Sequence, residues 1–288
     1  MRKSIKIWMG VGAFILTGTA TARAGEQSPL DLATDVDAQR LTIEQAAQFK
    51  AELINAWAQG GEGGEGGEGG EGGINPETVG DDPAEYAIAL QVIAAHFDAG
   101  LAAYAGGERE AGAQMFAHGH SEIYAIMDEL FKKLGVTTLG SRLEAAVAAA
   151  ADGKPLSEIE RHVEDVRNAL HDAGLRGPQA SSPPRLRAHI LGELIERAAA
   201  QYAVLQGDTT LEPYLDGLGF TIAARREAET VLPSLRKSDK LAADALSNAL
   251  QLLQQVYPGL KRPAKASVSE SQLLVAASRA RLSVSAYR

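Results

Sequence analysis

Six histidines and no cysteine leave this chain few places to do chemistry. The densest grouping is His96 and Asp98, followed by His118, His120 and Glu122. Imidazoles and carboxylates that converge form a site for a divalent or trivalent cation, and without thiolates every ligand must be nitrogen or oxygen. The spacing allows convergence. A helix over about Pro83 to Ala105 would turn at Gly106-Gly107 and return as a second arm. In an antiparallel pair the indices of facing residues sum to a nearly constant value, which sets His96 opposite His118. Gly119, between two histidines, would let the second arm bend and His120 turn inward. The expected ligand set is therefore His96, Asp98, His118, His120 and Glu122. Iron is the expected ion, with copper and zinc as alternatives. The competing reading of these five residues is a polar, solvated edge.

The elements that must position this set are helical. Apolar residues recur at helical spacing and alternating strand patterns are hard to find, so the fold class is all-α. Asp82-Pro83 supplies a cap and a first-turn proline for the first arm, whose stripe is Leu90, Ile93, Phe97, Leu101 and Tyr104. The second arm starts near Glu108 and is expected to break at His118-Gly119-His120. Ser121 would cap a fresh helix carrying Ile123, Met127, Leu130, Phe131 and Leu134. A second hairpin follows, with Leu143, Val147 and Ala150 on one arm. Leu156, Ile159, Val163, Val166 and Leu170 line the other. The Gly, Pro and Ser-rich stretch 174–184 reads as a linker. Beyond it an antiparallel four-helix bundle is expected over 185–288: about Arg185–Leu205, Leu211–Arg236, Asp239–Val256 and Val268–Tyr287. Ser267 would cap the last helix, with Glu270 completing a capping box. The stripe His189, Glu193, Glu196 lies opposite the apolar residues of its helix and is expected to be solvated.

Upstream, Arg2, Lys3 and Lys6, the apolar run Ile7–Leu16 and Ala22-Arg23-Ala24 have the order of a secretory signal peptide, residues 1–24. The apolar run is too short for an ordinary membrane span. A periplasmic or secreted protein, not embedded in the membrane after cleavage, is the expectation. An N-terminal helical segment occupies 25–59, with a helix from about Thr42 to Ala58. A flexible Gly/Glu-rich linker is expected over 60–80 and a helical hairpin domain over 81–173. Loss of Arg2, Lys3, Lys6 and Arg23 with the signal takes the formal charge from −9 to −13. That balance argues against a nucleic-acid partner, which needs a basic face, and suits attraction of cations. No phosphate loop, nucleophile elbow or zinc-protease helix occurs, so no catalysis is expected.

Two stretches resemble known exported helical proteins. The run "ALQVIAAHFDAGLAAY" with "HGHSEIY" resembles a group of exported bacterial hairpin proteins. The run Tyr202-Ala203-Val204-Leu205-Gln206-Gly207-Asp208, with Glu212-Pro213-Tyr214 and Gly219-Phe220, is similar to the periplasmic domain of bacterial high-affinity iron permeases. Imelysin-like iron-uptake proteins are related more distantly. The resemblance implies a periplasmic role in iron or other metal handling, with a membrane iron permease as partner. The chain departs from those families in two respects. Neither His118 to Glu122 nor His120 to Glu122 has the His-x-x-Glu spacing, and the permease's Arg-Glu-x-x-Glu motif is absent. The competing function is a non-catalytic helical scaffold that binds a partner in the cell envelope.

Overall fold

The computed structural model describes residues 74, 78–207, 210–265 and 267–287, and no strand occurs among them. The fold class is all-α. The signal peptide, the helix expected before residue 59 and the Gly/Glu repeat lie outside the described residues. Ile74 and Val79, inside the stretch expected to be linker, are buried in the core.

The chain runs α1 (Pro83–Ala105), α2 (Arg109–His118), a π-helical turn (Gly119–Tyr124), α3 (Ala125–Lys133), α4 (Leu139–Ala151), α5 (Leu156–Gly174), α6 (Pro183–Val204), α7 (Glu212–Ser238), α8 (Lys240–Val256) and α9 (Glu270–Ser283). The start of α1 follows from its sequence. Asp82 Oδ1 accepts from the backbone N–H of Ala84 at 2.7 Å and of Glu85 at 3.3 Å, and Pro83 occupies a position whose missing N–H costs nothing.

The first arm is buried on nearly every side, not along one stripe. Its alanines and Gly100 let α2, α5, α6 and α7 all approach it. An 18-residue window of α1 is apolar enough to cross a membrane (mean hydropathy 1.4), but 78% of it is buried within the fold, as a central core helix requires. The closest approach is to α7. A Cβ on Gly219 would stand 2.3 Å from the carbonyl oxygen of Ala95, so any side chain there would force the two helices apart.

The hairpin register read from the sequence holds to within a residue. Phe97 stacks on Phe116 at 5.0 Å, and a Cβ on Gly119 would meet the His96 Cβ at 3.1 Å. The expected break at His118–His120 does not occur. The backbone stays helical from Arg109 to Lys133 and widens into a π turn over Gly119–Tyr124. Ser121 is therefore no cap; its hydroxyl donates to the carbonyl of Ala117, four residues back, at 2.9 Å. In the last helix the capping box forms two residues later than expected. Ser269 Oγ accepts from the N–H of Gln272, whose side chain accepts from the N–H of Ser269.

Beyond residue 182, α6 packs on α7, α8 on α7, and α9 against α6 and α8. These helices are not sealed from the first half. α1 lies along α7, and the buried side chains on both sides of 174–184 form one continuous core. Asp98 ties the halves by charge: its buried carboxylate accepts from Arg167 of α5 at 2.7 Å and from Arg226 of α7 at 2.6 Å.

Candidate metal centre at the α1, α2 and α7 junction

The five residues expected to share one ion part company. Asp98 has one carboxylate oxygen engaged by Arg167 and the other by Arg226. His120 stacks on Tyr124 at 5.5 Å and reaches Glu144 on α4 at 3.9 Å. Glu144 is mostly exposed, and a surface contact of that length contributes little. Glu122 carries one buried oxygen, Oε2, without a hydrogen-bond partner. Among the described residues no three histidine, aspartate or glutamate side chains are grouped to hold one ion. The reason lies in the π turn. The π turn keeps the backbone helical where a break was expected, and residues two apart on a helix, such as His118 and His120, point about 200° away from each other.

His96 and His118 do share a neighbour, and it is one that sequence reasoning missed. Both face acids on the first turns of α7. His96 Nε2 stands 3.7 Å from Asp216 Oδ1, and His118 Nδ1 stands 3.3 Å from Glu212 Oε1. Glu212 and Asp216 are four residues apart, so they lie on one face of α7, one turn above the other. The signal that could have found them was there: Glu212 and Asp216 flank Pro213-Tyr214, within a stretch singled out only as a family likeness.

The two pairs differ in depth. His96 and Asp216 are buried, with Phe220 edge-on to the imidazole at 6.4 Å. The Nδ1 of His96 donates to the carbonyl of Val92 at 2.8 Å, which fixes the proton on that nitrogen because a carbonyl can only accept. Nε2 then faces a carboxylate oxygen, a contact between two acceptors unless a proton or a cation lies between them. An Nδ1–H held by a backbone carbonyl is also the arrangement that orients metal-ligating imidazoles.

The outer pair opens on solvent. His118 and Glu212 line a cavity of about 140 Å³ together with Gln114, Met115, Leu211 and Leu215. Gln114 precedes His118 by one helical turn and so shares its wall. The His118 Nδ1 is buried and makes no hydrogen bond, although Glu212 is near. Two ligands tetrahedrally placed about 2.1 Å from one ion stand about 3.4 Å apart, so both His–carboxylate separations match the chord of a shared cation.

Neighbouring groups keep the junction rigid. The Tyr124 hydroxyl donates to Asp128 at 2.8 Å and covers Gly140. Burial, with that hydrogen bond, pushes the Tyr124 phenol up to about 12. Beside Asp216, the Tyr257 hydroxyl donates to the carbonyl of Ala198 at 3.2 Å, and burial raises it well above the usual phenol range. Neither tyrosine is a phenolate ligand at neutral pH.

The stripe His189, Glu193, Glu196 is not solvated as expected. α9 lies across it, and His189 is 2% exposed. Arg281 of α9 pairs with Glu193 and, at 3.3 Å, with Glu196. His189 Nε2 is 3.6 Å from Glu193, and its Nδ1 lies 3.2 Å from the carbonyl of Val284. Burial, with the adjacent charge of Glu193, lifts the Glu196 carboxyl to about 7.

No protein-family model, curated protein or solved structure matches this chain.

Proposed function

We propose that this chain is a periplasmic metal-binding accessory protein that serves iron uptake or handling. The observation that supports the reading is the meeting of His96 and His118 with Asp216 and Glu212, imidazole facing carboxylate across helices at 3.7 and 3.3 Å. Such mixed nitrogen and oxygen donors suit iron, copper or zinc better than magnesium or calcium. The acidic chain favours cation capture at longer range. No role as a catalyst is proposed.

Equilibrium dialysis of untagged protein against ferrous and zinc ions, followed by elemental analysis, tests this. Retention of either ion above the buffer level, against none for calcium, is the expected result. No retention of any ion would overturn it.

A second reading, a partner-binding helical scaffold without metal, is favoured by the Asp98 carboxylate. Arginines on two other helices hold it in a structural role where the sequence suggested a ligand.

A further inference from the structure

We infer that the ion enters and exchanges at the cavity between α2 and α7, held by His118 and Glu212, with Gln114 on the same wall and water completing the shell. This rests on the metal-binding reading and names its site and its acids.

Three observations converge on it. The His118 imidazole presents a buried Nδ1 that makes no hydrogen bond, 3.3 Å from a carboxylate oxygen. That separation fits two ligands on one ion better than it fits an unaligned hydrogen bond. The pair lines a cavity of about 140 Å³, which has room for an ion and several waters. Among the described residues no arginine or lysine pairs with Glu212, whereas arginines pair with Asp98, Glu193, Glu196 and Glu227. Arginine answers those four carboxylates from inside the protein; Glu212, beside an imidazole at the mouth of a cavity, is placed to meet a cation from outside.

The chemistry sets the class of ligand. One imidazole and one carboxylate select a first-row divalent transition ion over magnesium or calcium. Two or three protein ligands, with water in the remaining positions, make a weak and exchangeable site, as a carrier that must release its cargo requires.

The test is titration of the full mature chain with zinc(II) by calorimetry, and with cobalt(II) by visible absorption. Cobalt bound through imidazole nitrogen has a ligand-field spectrum distinct from the hexa-aqua ion. His118→Ala and Glu212→Gln should each weaken both ions at least tenfold, with circular dichroism unchanged because both side chains reach solvent. His120→Ala should match the parent, although it removes an imidazole only two residues away. A parent that binds, with both variants binding equally well, overturns this site and leaves the metal-binding reading standing. A parent that binds neither ion overturns both.

Discussion

Two places in this molecule bring histidines and acids together between helices, and they solve the same electrostatic problem differently. Under α9, His189, Glu193 and Glu196 meet Arg281 from the covering helix, and Arg197 lies in the same cluster. The negative charge is answered internally, so the cluster is cement between α6 and α9. At the junction of α1, α2 and α7, Asp216 faces His96 and Glu212 faces His118. Composition does not separate the two places. The difference lies in whether a neighbouring helix delivers a guanidinium.

The largest expected effect breaks the first member of that comparison. Arg281→Ala removes both ion pairs to Glu193 and Glu196 in a mostly buried position, leaving Arg197 as the remaining guanidinium of the cluster, and should destabilise the protein by about 3 kcal/mol. Urea unfolding measures it. A loss under about 1 kcal/mol would show that water reaches the cluster and that α9 is not held by charge.

Next comes the geometry of the junction. Gly219→Ala puts a methyl against the Ala95 carbonyl and must move α7 away from α1, costing about 1–3 kcal/mol. The same shift separates Asp216 from His96, so this variant should lower metal affinity as well as melting temperature. Unchanged melting would mean that α1 and α7 can separate at Gly219 without loss of packing.

Glu196 gives the pH dependence its sign. Its carboxyl is raised from 4.5 to about 7 in the folded state. Below about pH 4.5 the folded and unfolded chains both hold the proton; between there and about pH 7 only the folded chain does. The contribution is therefore fully present at low pH and is lost as pH rises to about 7, on the order of 3 kcal/mol. Glu196→Gln should flatten that part of the stability profile measured by thermal melts from pH 4 to 8. A profile identical to the parent's would place the slope on other groups.

The smallest effect sharpens the contrast between touching and binding. His120→Ala removes a 3.9 Å contact to an exposed glutamate and a stacking partner of Tyr124, so stability should change by less than about 0.5 kcal/mol. A larger loss in calorimetry would mark the stack on Tyr124 as part of the core.

Much of the fold was legible because helix signals are local. Asp82-Pro83 announces α1 through its cap, and Ile159, Val163 and Val166 are fully buried where helical spacing requires. The hairpin register was legible too, since a two-glycine turn fixes which residues face each other. The site was legible by half. His96 and His118 stand out as rare residue types in facing positions. Their partners do not, because Glu212 and Asp216 are ordinary acids more than ninety residues away, and nothing in local pattern says that α7 will cross α1 at Gly219. Asp98 looked like a ligand because the sequence cannot show that Arg167 and Arg226 will close on it. His189, Glu193 and Glu196 looked solvated because a helix with one apolar face is expected to turn its polar face to water, and α9 covers that polar face.

By itself, then, the sequence determined that this protein is all-α, where its first described helix begins, how its first hairpin pairs, and that any metal must bind through nitrogen and oxygen. Those properties rest on backbone capping, side-chain periodicity and residue chemistry, all of which act within a few residues. The tertiary structure alone decided which acids meet an arginine and which meet a histidine. That choice depends on contacts between helices far apart in the chain, where a shift of one turn exchanges one partner for another.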